Sequence, residues 1–533
     1  MNQIEAKKQK IEYLSHVIGL ISFMVLGKLI GNNGIAYMAV LIECVSLFVL
    51  LVNGGSADLI GRMIRSRRKR NQYNEAAKLH KAYFLIQSVA AAVLMIIYFL
   101  LTDVFAEMVF RMPFLSAAMK MLAPVILLKT LQCLMQGYFQ GMGAHMPTVV
   151  SSIFRQLLFL LFGLILAGRL VGYGEKVSAL LNNADYTGMY GAVALSLAIL
   201  ISEILITVFL LIVYVGSDRK REKQRSEDGL QKMESFSERF RLIVFLSFPE
   251  TVKAFLKKLP FSIGLFMVLQ SAMDISQAAH EFGAFYGYFI CVSAILVFLI
   301  LTRIAHILNG LTVMVKRKDN RSVREVIYAG LHYCWAIGLY ASVCMAVLAP
   351  QVANVVYKEH AEALRKYFTH GSAIIAVLII SIFIWRALYM LGADKLAYGL
   401  LALLNVLFVI SCVVLRSRKM EVIDVLIFSA LIAIVVECIL SFVLIVRKYV
   451  LQPDMIRGFL IPVVAAGAMG LVVMLIRNLL APHVGSLMCL ILCLAFGLIV
   501  YMVVLVVTRS IHETEVNHVY ANFGRKIFGL IIR

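Results

Sequence analysis

Runs of apolar residues dominate this chain, and they lack the period-two alternation of strands, so they read as helices. Fourteen stretches reach or approach the roughly 20 residues needed to cross a hydrocarbon core. They are 11–30, 34–54, 82–102, 115–137, 148–168, 189–215, 242–273, 284–309, 326–349, 367–390, 396–415, 421–446, 459–479 and 486–508. Backbone amides in lipid must be satisfied within their own segment, which also selects helices. The pattern therefore predicts an all-α polytopic membrane protein. The first stretch follows Lys7-Lys8-Gln9-Lys10 without a small-residue cleavage site and reads as the first crossing, not a cleaved leader.

A repeat is visible within the pattern. Glu203-Ile-Leu-Ile-Thr-Val-Phe-Leu and Glu437-Cys-Ile-Leu-Ser-Phe-Val-Leu lie 234 residues apart, each with an acid inside an apolar run. Met142-Gly143-Ala144-His145 matches Leu391-Gly392-Ala393-Asp394, and Gln156-Leu-Leu-Phe159 matches Asn405-Val-Leu-Phe408, both at an offset of 249. Phe23-Met-Val-Leu26 returns as Phe266-Met-Val-Leu269. These matches keep the same order and predict two pseudo-symmetric six-helix bundles, 1–215 and 242–447, joined by a charged connector, 216–241. An even helix number gives the two halves the same orientation, related by an axis along the membrane normal. Helices 13 and 14 (448–508) fall outside the duplication, and the tail 509–533 reads as an interfacial helix or a frayed end.

With 61% hydrophobic and 15% charged residues, the chain has too little polar surface to dissolve in water. Its net charge of +21 is concentrated in polar breaks: Arg62, Arg65, Arg67, Arg68, Lys69 and Arg70; Arg219, Lys220, Arg221 and Lys223; and Lys316, Arg317, Lys318, Arg321 and Arg324. With fourteen crossings all three fall on the side of the basic N-terminus, so the positive-inside rule makes both termini cytoplasmic in a cell membrane. Arg416, Arg418 and Lys419 run against this pattern. The charge calls for membrane lipid headgroups and no nucleic acid. Nine cysteines without a CxxC pair or histidine cluster point to neither disulfides nor a metal, and no cofactor is implied.

Gly137-Tyr138-Phe139-Gln140-Gly141, then Met146-Pro147-Thr148, Ser151 and Gln156, resemble the fourth-to-fifth helix signature of polysaccharide flippases in the multidrug/oligosaccharidyl-lipid/polysaccharide superfamily. Within it, these residues resemble the branch of the stage V sporulation protein B type, related to lipid II flippases. Gly31 to Tyr37, the basic loop with Tyr73, Glu75 and Ala76, and Pro249 fit the same pattern. The chain departs from it at Arg155 and Phe159, where that branch commonly carries Glu and, one turn later, Arg. The resemblance implies a non-enzymatic transporter that moves a polyprenyl-diphosphate-linked glycan from the inner to the outer leaflet by alternating access.

Such a substrate needs cations in a wet cavity. Glu250, Lys253 and Lys257 share a helical face in the seventh stretch, with Lys258 beside them and Pro249 and Pro260 bracketing them, as bends or ends. They either hold phosphate or snorkel to headgroups. Arg155 and Lys129 lie deep enough to demand an internal face, for phosphate or for an ion pair. Lys28 is a further cavity candidate, since the first helix lines the cavity in the resembled family, or it snorkels. Arg386 and Arg303 read as snorkelling residues. Glu43, Glu203 and Glu437 are candidates for coupling or for bonds across helices, and His16, His332 and His370 read as isolated packing residues. Two other classes stay open: a cation-coupled multidrug-type exporter of the same fold, favoured by an acidic cavity, and a membrane-embedded glycosyl- or acyltransferase, which would need deep histidines or paired acids and larger loops.

Overall fold

The computed structural model describes residues 2–183, 185–217, 235–271, 275–308, 311–358, 361–418, 420–449 and 454–510. Most of the charged connector and nearly all of the tail lie outside the described residues. The elements in order are α1 (Asn2–Asn53), α2 (Ser56–Arg68), α3 (Tyr73–Val104), α4 (Ser116–Met142), α5 (Met146–Leu181), α6 (Asp185–Gly216), α7 (Phe236–Ser271), α8 (Ile275–Ala284), α9 (Cys291–Ile307), α10 (Leu311–Lys316), α11 (Asn320–Val347), α12 (Ala349–Val356), α13 (Ala361–Met390), α14 (Asp394–Ser417), α15 (Val422–Tyr449), α16 (Ile461–Leu480) and α17 (Ser486–Val507). There is no strand among the described residues.

Twelve helical segments are long and apolar enough to cross a membrane. The first, Lys10–Arg68, holds 59 residues. At 1.5 Å per residue that is about 90 Å, roughly three hydrocarbon thicknesses. Its helical run is broken at Gly31, where φ is 72° and ψ 171°, so it provides two crossings. Helix α7 is long enough, but the charges between Glu250 and Lys258 exclude it from the twelve. Adding it and dividing the first segment restores the fourteen stretches of the sequence. The chain is a multi-pass, all-helical membrane protein.

Two compact units are formed, 21–287 and 1–20 with 288–533. In the first, α2, α3, α4 and α6 enclose a core that includes Ile60, Ile64, Leu79, Tyr83, Leu134 and Leu210. Helix α7 packs on α2 and α3 in this unit. In the second, α16 and α17 lie on α11 through Leu348, Met469, Val473 and Tyr501, and the Tyr501 hydroxyl donates to the Ala336 carbonyl at 2.8 Å. Asp319 caps α11 by accepting from the Ser322 amide at 3.2 Å, and the Ser322 side chain holds that carboxyl below its usual range.

The matched tetrapeptides of the repeat form one and the same turn. Gly143 (φ 79°) closes α4, with Gly143 N–H on Gln140 O at 3.1 Å and Ala144 N–H on Phe139 O at 2.9 Å. Gly392 (φ 72°) closes α13, with Gly392 N–H on Tyr389 O at 3.2 Å and Ala393 N–H on Leu388 O at 2.9 Å. Both are Schellman caps, which place a left-handed residue directly after the helix.

Candidate substrate-binding site

Between α1 and α2 the chain breaks at Gly54 and Gly55, and α7 is seated on this break. A Cβ on Gly54 would stand 2.5 Å from the Thr251 Cα, and one on Gly55 (φ 74°) would meet Glu250 at 3.1 Å. The Val52 carbonyl beside the break finds a side chain, as buried backbone groups in a membrane must, and side chains around it bond one another. The Gln87 amide donates to Val52 O at 3.2 Å and to Ser56 Oγ at 2.9 Å, and Asn53 donates to Thr130 Oγ1 at 3.0 Å. Tyr83 bonds Ser247 on α7. Pro249 and Pro260 lie inside α7 and do not end it; neighbouring polar side chains make such positions tolerable in membrane helices.

This seat fixes the charged face of α7. Glu250 accepts from Arg62 at 2.8 Å and from Lys253 at 2.6 Å. Lys258 pairs with Glu43, whose second oxygen accepts from Ser262 at 3.3 Å. Lys257 is exposed and has no bonded partner among the described residues. Arg62 belongs to a helix and not to a loop, because Leu59, Ile60, Met63 and Ile64 give α2 a buried stripe that carries it on to Arg68.

A second cationic cluster lies across α4, α5 and α6. Glu203 is 3% exposed and pairs with Lys129 and with Arg155, whose Nε lies 3.2 Å from Oε1. Gln132 knits the three together: its amide donates to Glu203 Oε2 at 2.8 Å and to Thr207 Oγ1 at 2.9 Å, while its oxygen accepts from Arg155 at 2.6 Å. Of the alternatives open for Arg155 and Lys129, the ion pair is the one formed in this conformation.

Glu437, at 0% exposure, differs. Oε1 accepts from Trp385 Nε1 at 2.8 Å, Oε2 accepts no hydrogen bond, and no ion pair reaches it among the described residues. Lys28 is exposed on α1 and takes no part in either cluster. The Arg386 guanidinium stands 5.2 Å from the Tyr13 ring centroid, a cation–π distance. The histidines are not isolated: His332 lies 3.3 Å from Ser510 Oγ, His370 lies 3.3 Å from Asp424, itself paired with Lys366, and His16 stacks on Phe298. The described residues hold no group of three or more His, Cys, Asp or Glu able to bind a metal.

Within residues 21–287, Arg62, Lys129, Arg155, Lys253, Lys257 and Lys258 thus stand with Glu43, Glu203 and Glu250. With Asp58 on α2, which lies near Cys133 of α4, six cations stand against four carboxylates, a surplus of two positive charges. Gln132 and Trp385 escaped the sequence reading; the only signal was a lone amide or indole in an apolar run. The Arg62–Glu250 pair, 188 residues apart, left no local signal.

No protein-family model and no curated sequence matches the chain. Solved structures do. A lipid II flippase, MurJ, in an inward closed conformation superposes with a TM-score of 0.67 at 12% identity, covering 93% of this chain and 96% of its own. An inward-facing multidrug-resistance MATE transporter of the MOP superfamily gives 0.62 at 11% identity, covering 83% of this chain and 94% of its own. A MOP transporter from Pyrococcus furiosus, described as having a binding pocket of reversed polarity, gives 0.57 at 12% identity, with coverages of 83% and 96%. The chain shares the all-helical polytopic fold of these structures.

Proposed function

We propose that this protein is a flippase that carries an anionic, lipid-linked substrate, a polyprenyl-diphosphate-linked glycan, across the cell membrane by alternating access. The observation that carries the reading is the surplus of cations on α2, α4, α5 and α7. Unbalanced positive charge at such positions is expensive unless an anion completes it, and a diphosphate supplies several acceptor oxygens. Lys257 is the cation ready to receive it, and Lys253 and Arg62 exchange Glu250 for phosphate as the substrate enters. Coverage adds support. The lipid II flippase superposes on 93% of the chain and the MATE transporter on 83%, a difference about the size of the α16–α17 pair.

The exporter reading is supported by the near-complete coverage of the MATE structure, at 94%. It would suit a cationic cargo, which the charge surplus repels. No step in the proposed cycle breaks a covalent bond, so the protein is not an enzyme in this reading.

The test is transfer of a fluorescent short-chain polyprenyl-diphosphate disaccharide across vesicles containing the purified protein. Lys253→Gln with Lys257→Gln should reduce transfer by about tenfold or more, the worth of one lost charge-assisted contact. Arg416→Gln with Arg418→Gln, at exposed positions at the end of α14, should leave it near wild type. Equal, near-native transfer by both variants would return the α7 lysines to the membrane interface. Export of a cationic dye, with no transfer of the disaccharide, would favour the exporter.

A further inference from the structure

We infer that Glu437 is a proton-binding site, occupied in this conformation and separate from the cation clusters of residues 21–287. Its side chain is completely buried on α15, a helix that packs against α13 and α14. Trp385 Nε1 fixes Oε1 at 2.8 Å, which leaves Oε2, without a donor, as the atom that bears the proton. The hydroxyls of Ser381 and Ser441 lie close to the carboxyl, and Ser441, whose hydroxyl donates to Cys438 O at 3.0 Å, keeps its lone pairs to accept a proton-bearing bond.

The surroundings supply no counter-charge. From α13, Trp385 and Ser381 meet the carboxyl; Lys366 and His370 are engaged by Asp424 at the other end of that helix, and Arg386 lies over Tyr13. From α14, Asp394, Lys395 and Arg416 lie at the helix ends, and Asn405 donates to Leu401 O at 2.7 Å. On α15 itself the neighbouring titratable group is Cys438, a buried thiol, while Asp424 and Arg447 lie near the ends. An ionised carboxylate here would be buried and unpaired, which proteins avoid by neutralising the group. A hard metal ion gathers about six oxygens, more than one carboxyl and two hydroxyls provide, whereas a proton needs one.

The site gives the chain a means of responding to a proton gradient; that part rests on the proposed transport, while the proton site itself does not. Infrared spectra of the purified protein in lipid nanodiscs should contain a protonated-carboxyl C=O stretch that is lost in E437Q. Its absence from wild type, or its persistence in the variant, overturns the assignment. A second readout uses Trp385. The chain has two tryptophans, so Trp335→Phe leaves Trp385 as the sole indole. Its emission should shift with pH and lose that shift in E437Q; a wild-type emission that is flat, or a shift retained in the variant, shows that Glu437 does not exchange its proton. In transport vesicles the acceleration by an imposed proton gradient should vanish in E437Q, and an unchanged acceleration overturns the link to transport. If the vesicles move no disaccharide at all, the flippase reading fails while the infrared result still decides the proton site.

Discussion

Glu203 and Glu437 occupy matched places in the sequence repeat, yet they are buried by opposite means. At the offset of 249 that aligns the helix-closing glycines, Lys129 corresponds to Leu378, Gln132 to Ser381 and Arg155 to Leu404. The acid on α6 has two cations and an amide; the acid on α15 has an indole and two hydroxyls. A carboxyl can be kept in a membrane bundle by balancing its charge or by removing it. Glu203 follows the first course, and Glu437 follows the second in the proposed proton site. Two cations pair with Glu203, and none pairs with Glu437 among the described residues.

Removing the acid should separate the two most strongly. Glu203→Leu leaves Lys129 and Arg155 half-buried without their partner and should destabilise the protein by about 3 kcal/mol, whereas Glu437→Gln strands no charge and should change stability by about 1 kcal/mol or less. Equilibrium unfolding in mixed detergent micelles measures both, and equal losses would dissolve the distinction. Converting the first half to resemble the second is a sharper version. Lys129→Leu with Arg155→Leu isolates Glu203, and adding Glu203→Gln should recover about 2 kcal/mol by the same assay; a triple variant as unstable as the double would mean that charge balance is not what the cluster provides. A smaller effect is expected from Trp385→Phe, which deletes one hydrogen bond and should lower stability by about 1 kcal/mol. Least of all, Gly143→Ala and Gly392→Ala should each lose about 1 kcal/mol or slightly less, because both force a Cβ into a left-handed turn. Clearly unequal values would weaken the structural equivalence of the two turns.

What the sequence made legible follows from what is local. Apolar runs located the crossings because length and hydrophobicity suffice in lipid, and the Gly-Ala tetrapeptides located two caps because a left-handed position leaves a glycine behind. The depth of Lys129, Arg155 and Glu203 was equally visible. Their partnership was not, since Arg155 and Glu203 lie 48 residues apart and a single sequence does not record which faces meet. Arg62 was assigned to a loop because the apolar run stops near Gly54; the buried stripe from Leu59 to Ile64 extends the helix where mean apolarity has already fallen. Pro249 and Pro260 are weak boundary markers for the same reason: the neighbours that tolerate them come from other helices.

The seating of α7 also bears on how the chain enters the membrane. With two prolines and the charged stretch Glu250–Lys258, this helix is a poor substrate for independent insertion, in which each central charge is penalised by about 2.5 to 3.5 kcal/mol. Every group that receives it, Glu43, Gly54, Arg62 and Tyr83, precedes it in the chain. Synthesis from the N-terminus therefore lays down the acceptor before the helix that needs it, and the ribosome's order of delivery does for α7 what hydrophobicity does for its neighbours.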